Sequence, residues 1–190
     1  MDDICLILKA LVYSADRHRN QFRKGADRAP YINHPIQVAN LLVNEGCEKD
    51  QVLLTATILH DVVEDTVKGK KEKKKLIEDI RGKFGEEVLS VTLEVTDDRS
   101  LSKKERKRMQ VVHAPALSER AKKLKLADKI MNVRDITANP PLTWPQKRIV
   151  RYFDWSEKVV EGLRGVNKPL EDIFDKSLKA GREKYCKKKI

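Results

Sequence analysis

Aromatic residues are scarce, with phenylalanine, tyrosine and tryptophan together making up 5% of the 190 residues. A platform for single-stranded nucleic acid needs aromatic faces interleaved with cations. The lysine-rich stretches at 68–75 and 187–189 carry none, so nucleic-acid binding is disfavoured despite a formal net charge of +11. The three cysteines, Cys5, Cys47 and Cys186, are odd in number and far apart. That excludes a disulfide framework and a thiolate metal cluster, and points to a reducing compartment. No apolar run approaches the roughly 20 residues of a membrane span. The opening "MDDICLILKALVY" has an acidic leader and Lys9 inside its apolar stretch, so it does not read as a signal peptide. A cytoplasmic protein that binds no membrane is expected.

What is present is helical pattern and charge. Charged residues make up 36% and apolar residues 40%, with only 8 glycines and 7 prolines as punctuation. One all-α domain covering 1–190 is expected, large enough for its own core. Apolar residues recur with the helical period of about 3.6. Ile4, Ile7, Leu8, Leu11, Val12 and Ala15 mark a first helix. In "YINHPIQVANLLVNEG" Pro35 suits the first helical position and makes His34 the N-cap. Asp50 to Glu64 reads as one core helix, apolar on nearly every side. "VKGKKEKKK" reads as a solvated loop or frayed helix start, and helix resumes at Lys75–Lys83 and Glu86–Thr96. A charged helix over "DDRSLSKKERKRMQ", another over "RAKKLKLADKIMNVRDI" and two final ones, the last at 168–185, complete a bundle of seven to nine helices.

The strongest chemical signal is "TATILHDVVEDT", residues 55–66, where a His, two Asp and a Glu emerge from an apolar run. Helical spacing crowds His60, Asp61, Glu64 and Asp65 onto one end and one side. Unpartnered, such a cluster repels itself and drives its carboxylates toward protonation. A divalent cation resolves both problems. An ordinary frayed acidic terminus explains the acids but not the His-Asp pair. His34, held at a helix start, and Asp128, an acid on an otherwise apolar and basic helix, are further ligand candidates. A salt bridge to Lys125 or Lys129 is the competing reading of Asp128. Two imidazoles and two carboxylates suit Mn²⁺ or Fe²⁺ better than a thiolate-type zinc site. Of the other histidines, His18 reads as a packing or supporting residue and His113 as a surface one.

The motifs "HRNQFRKG", "PYINHP", "HDVVEDT", "EVTDD" and "KLADKIMNVRD", in that order over about 10–165, resemble the RelA/SpoT hydrolase branch of the HD phosphohydrolases. The likeness is strongest to the stand-alone metazoan SpoT homologues. The resemblance implies a helical HD fold, one Mn²⁺ (or Fe²⁺ or another divalent ion) on His34, His60, Asp61 and Asp128, and Glu64 and Asp65 as the groups that activate water. It implies removal of the 3′-pyrophosphate of guanosine tetraphosphate (ppGpp), with the 2′-phosphate of NADPH as the alternative target. By the same match Arg23, Lys24, Lys103 and Arg148 contact substrate phosphates, and Asn132 and Tyr152 line the nucleotide pocket. Two carboxylate ligands cancel the charge of a divalent ion and weaken its acidifying effect on water, which leaves work for a general base. Arg99 stands where the family commonly has Lys, and the lysine-rich stretch after the His-Asp pair looks longer than the family's loop. The length leaves no room for a synthetase domain, so alarmone synthesis is not expected. Oligomeric state is not legible.

Overall fold

The computed structural model describes residues 3–186 apart from positions 26 and 68. Lys68 and Lys187–Lys189 therefore lie outside the described residues. Among those described there is no strand, only an isolated antiparallel bridge between Phe22 and Pro30. The α-helices are α1 (Asp3–Arg17), α2 (Asn33–Asn44), α3 (Gln51–Leu59), α4 (Val62–Asp65), α5 (Lys70–Phe84), α6 (Glu86–Val95), α7 (Lys103–His113), α8 (Glu119–Ala138), α9 (Gln146–Glu161) and α10 (Lys168–Cys186). The all-α expectation holds, and counting α3 with the single turn α4 gives the upper end of the expected number.

Helices α3 and α8 form the centre. The first packs on α1, α2 and α6, the second on α2, α6, α9 and α10. Their positions follow from composition: Leu53, Ala56 and Leu59 of α3 and Leu124, Leu126, Ala127, Ile130 and Val133 of α8 are all fully buried. Burying a Leu or Ile side chain stabilises by about 1.5–3 kcal/mol, so elements apolar on several sides are driven to the middle. Asp50 starts α3 by accepting from the Val52 and Leu53 backbone N–H groups at 2.9 and 3.2 Å. Ser102 and Ser118 cap α7 and α8 in the same way.

Three local expectations are corrected. Helix α2 begins at Asn33 with Ile32 as its N-cap, so His34 lies inside the first turn. The helix expected over 50–64 stops at Leu59 and restarts at Val62. No proline or glycine is responsible. His60 Nδ1 donates to the Thr57 carbonyl at 2.7 Å, the acceptor that continued helix would offer to the Asp61 N–H. The lysine stretch is helix from Lys70 onward, extending α5 a turn before the expected Lys75.

Candidate metal centre and nucleotide cleft

The break after α3 sets the site. His60 ends the apolar helix, Asp61 occupies the turn, and Glu64 and Asp65 lie on the single turn of α4, which Val62 and Val63 anchor in the core. His34 arrives from α2 and Asp128 from the middle of α8, so residues distant in sequence meet. One ligand atom each from His34, His60 and Asp128 lies within 4.8 Å of the others. Asp61 joins through His60, its Oδ2 standing 3.1 Å from His60 Nε2. It falls outside the compact group of three.

The donor set fits a cation on the protein's own evidence. His60 is 6% exposed and spends its Nδ1 hydrogen on Thr57, so in the neutral imidazole the Nε2 lone pair faces Asp61 and, at 3.9 Å, Asp128. Nε2 is buried without a directed hydrogen-bond partner, because the contact with Asp61 is close but poorly aligned. An outward bond that fixes the ring and turns the other nitrogen inward is the usual support of a metal-ligating histidine. His34 lacks that support: its Nε2 is 3.0 Å from Asp128 Oδ1 while Nδ1 is buried and unbonded. Burial opposes charge on His60, but Asp61 and Asp128 outweigh it and raise its pKa to about 9. Burial alone would raise Asp61 and Asp128; instead His60 holds Asp61 below the usual carboxylate range, and Lys129 and His34 hold Asp128 well below it. The protein thus stabilises two carboxylates and a proton at one point, where a doubly charged ion would serve the same electrostatics.

Asp128 also accepts from Asn132 Nδ2 at 2.6 Å and pairs with Lys129 at 3.0 Å. The salt bridge weighed as an alternative is therefore real and coexists with the convergence on His34 and His60. Lys125 is buried too, donates to the Val95 carbonyl at 3.1 Å, and has its pKa lowered by burial.

The two acids of α4 are held from several directions. Glu64 accepts from the Asp97 backbone N–H at 3.1 Å, and Asp97 is fixed by both carboxylate oxygens to Gln110 Nε2 at 2.9 and 2.7 Å. Arg99 spans the pair, with Nε 3.0 Å from Glu64 Oε1 and its second arm on Asp65. Burial, then the neighbouring Asp97 charge, raises the Glu64 pKa. A carboxylate made more basic than usual beside a phosphate-sized space is chemically suited to accept a proton.

A cavity of about 740 Å³ runs from His34 and Asp65 past Arg23, Lys24 and Asn132 to Tyr152. A smaller one of about 180 Å³ holds His60, Asp61, Glu64 and Asp128. Arg23 is brought to the cleft but already committed: its guanidinium donates to Asp135 at 2.5 Å and Asn132 at 3.1 Å and lies over the Tyr31 ring. Lys103 and Arg148 line neither cavity. They lie near enough to Lys24 that, after burial, Arg148 and Lys24 lower the Lys103 pKa. Arg148 covers Trp144 at 4.3 Å, and Tyr152 packs between Trp144 and Trp155.

Sequence reasoning missed Tyr31, which donates to Asp61 at 2.7 Å, and Gln21, which donates to the Asp65 carbonyl at 2.8 Å. Both lie inside the motifs already singled out, but nothing in their spacing indicates a partner 30 or 44 residues away.

The HD domain family profile matches residues 10–152. The chain is 45% identical over 173 residues to guanosine-3′,5′-bis(diphosphate) 3′-pyrophosphohydrolase MESH1 of Xenopus tropicalis, covering 91% of this chain and 93% of that one. The Homo sapiens protein of the same name is 44% identical over 168 residues, 88% and 90% of the two chains. A solved structure described as "A metazoan ortholog of SpoT hydrolyzes ppGpp and plays a role in starvation responses" superimposes with a TM-score of 0.85 at 44% identity, over 92% of this chain and 94% of that one.

Proposed function

We propose that this chain, which belongs to the HD domain family, hydrolyses the 3′-pyrophosphate of guanosine tetraphosphate to give GDP and pyrophosphate. We assign one divalent ion, Mn²⁺, to His34, His60, Asp61 and Asp128. The observation that carries the reading is the buried His34, His60 and Asp128 group with two tethered carboxylates beside it and a long cleft leading in, lined by Arg23, Lys24 and Arg99 together with Asp27, Asp65 and Asp135. The substrate is the one named for the frog and human relatives, which match this chain over nearly their whole length.

The reaction adds water across the phosphorus–oxygen bond at the ribose 3′ position. The water oxygen bonds to phosphorus, the bond to the 3′ oxygen breaks, and that oxygen leaves as a hydroxyl. The ion, when bound, supplies Lewis acidity toward water and phosphate oxygens. Glu64 takes the water proton, with the Asp97 N–H and Arg99 holding its two oxygens in place, and Asp65 shares the task from the same turn. Lys24 lies on the cleft wall, and Lys103 and Arg148 near it; their charges offset that of the phosphates. Asn132 and Tyr152, both on the cleft, are assigned to the nucleoside. Arg23, tied to Asp135 and Asn132, shapes the phosphate wall and offers what remains of its fork. A role for residues 1–190 as one domain and a cytoplasmic location fit this reading, and no helix among the described residues is long and apolar enough to cross a membrane.

The test is product analysis after incubation with ppGpp or NADPH, with and without Mn²⁺. Mn²⁺-dependent formation of GDP and pyrophosphate is expected, with pyrophosphate and not two phosphates released. Release of phosphate from NADPH with ppGpp untouched would overturn the substrate, and salt-sensitive binding of generic RNA without turnover would overturn the enzyme.

A further inference from the structure

Helix α4 is a single turn, Val62–Asp65. So short a helix has little cooperative stability of its own, and its last carbonyls lack partners within it. Yet it carries both acids assigned to the water. One of its terminal carbonyls, that of Asp65, is capped from outside by Gln21 Nε2 at 2.8 Å. Gln21 is in turn met by His18, whose Nδ1 lies 2.8 Å from Gln21 Oε1.

The hydrogens in this chain follow from elementary accounting. A backbone carbonyl can only accept, so the amide group of Gln21 must turn its NH₂ to Asp65 and its oxygen to His18. That oxygen can only accept as well, so His18 must carry a hydrogen on Nδ1. Its Nε2 is buried and without a partner, in a residue 2% exposed. A second ring hydrogen would therefore be an unsatisfied donor, and burial lowers the pKa accordingly. The same ring lies 4.9 Å from that of Tyr31, whose hydroxyl donates to Asp61. One imidazole thus stands behind the turn from Asp61 to Asp65 on both sides.

We propose that His18, as the neutral Nδ1–H tautomer, is a positioning residue that acts through Gln21 to hold Asp65 for proton transfer. The proposal rests on the reading of Asp65 as one of the water-activating acids. His18 touches neither substrate nor the reacting atoms. Its effect is to make the Gln21 amide unable to rotate, and so to fix the Asp65 end of a turn whose Val62 carbonyl is already capped by Thr66.

The test compares His18→Asn, His18→Gln and His18→Leu in the Mn²⁺-loaded protein. An Asn side chain places its NH₂ where His presents Nδ1–H, whereas Gln reaches the Nε2 position and Leu offers no hydrogen. All three lose the ring contact with Tyr31, so packing alone predicts similar behaviour. The expectation is a fall in kcat of about 10–100-fold for Leu and Gln, the usual size for outer supporting residues, with KM changed less than about twofold, and recovery of most of kcat in Asn. Equal kcat in all three, or a loss carried by KM, overturns the proposal. Should the Leu variant not fold, Gln21→Glu puts an acceptor against the Asp65 carbonyl and is expected to reproduce the selective loss of kcat; wild-type kcat in that variant overturns the proposal. An independent readout is nitrogen-15 NMR of His18 in the wild-type protein, expected to report hydrogen on Nδ1; hydrogen on Nε2 alone overturns the relay. If instead Asp65→Asn retains full turnover while His18 shows the Nδ1–H tautomer, the assignment of Asp65 has failed and not the hydrogen-bond chain.

Discussion

Glu64 and Asp65 are adjacent acids with different neighbours. Glu64 is the more buried of the two in its connections, gripped by the Asp97 N–H and raised in pKa by burial and the Asp97 charge. Loss of a general base typically costs about 10²–10⁴ in rate. Glu64→Gln is expected to fall in that range in kcat with the protein still folded, checked by single-turnover rates and circular dichroism; retention of more than about a tenth of wild-type kcat would remove Glu64 from the mechanism. Arg99 touches both acids with different arms of its fork. Lysine gives up the planar fork but keeps the positive charge that the two adjacent carboxylates face. Arg99→Lys is expected to stay within about threefold of wild type and Arg99→Met to lose about tenfold, chiefly in kcat; equal rates for the two would show that charge is irrelevant there. His60 and Asp128 were legible as candidates because each is a costly residue on an apolar or apolar-and-basic helix, and cost implies a partner; His34 stood out only as one of four histidines, pinned at a helix start by Pro35. Tyr31, Gln21 and Asp97 were not, because a hydroxyl, an amide or a backbone N–H at a cleft is cheap and marks nothing. The commitment of Arg23 to Asp135 was hidden for another reason: Asp135 lies 112 residues away, on a helix face whose orientation no local pattern fixes.

Helix α8 supplies Asp128 and Asn132 and is held in place by α10, against which it packs closely. A Cβ built on Gly181 of α10 would come within 2.8 Å of Thr137 Oγ1 and 2.9 Å of the Phe153 ring. Gly181→Leu is therefore expected to destabilise by about 1–3 kcal/mol, the usual size of overpacking, read as a lower midpoint in urea. An unchanged midpoint would mean that α10 is only loosely seated. Helix α7 carries Lys107, whose ammonium lies 4.2 Å from the Trp155 ring centre and whose pKa is lowered to about 8 by burial and by Lys103, Lys129 and Arg148. Its ordinary value is about 10.4. Because the folded value is the lower one, the unfolded chain holds more protons between the two, so stability rises with pH across about pH 8 to 10.4. The strain of the charged form is fully present below pH 8. Lys107→Met is thus expected to be more stable than wild type at pH 7, with the gain disappearing by about pH 10.4; a gain independent of pH would assign it to packing. Helices α1, α6, α8, α9 and α10 were readable from apolar spacing; α7 was read only as a charged stretch over 97–110, and it begins at Lys103 and ends at His113 with no buried residue to mark it. The break between α3 and α4 was not, since no proline or glycine marks it and it depends on one imidazole taking a main-chain acceptor.

The molecule as a whole carries a formal charge of +11 and is proposed to take a small polyanion. Part of the attraction is long-ranged and is screened with a Debye length of about 10 Å at 0.1 M salt. The value of kcat/KM for ppGpp is expected to fall severalfold between about 0.05 and 0.3 M KCl with kcat little changed; salt independence would mean that the lysines at 70–75 and elsewhere serve solubility alone. Composition made that charge plain, but not where it acts: Lys103, Lys107 and Arg148 form a cluster only because α7 and α9 pack together. Everything else in the account depends on four side chains from α2, the α3–α4 turn and α8 sharing one ion. The direct measurement is pyrophosphate release from ppGpp by chelator-stripped protein as Mn²⁺ is returned. No turnover is expected in the stripped protein, with a rise that levels off at one equivalent of Mn²⁺ per chain. Full turnover without any divalent ion would contradict it.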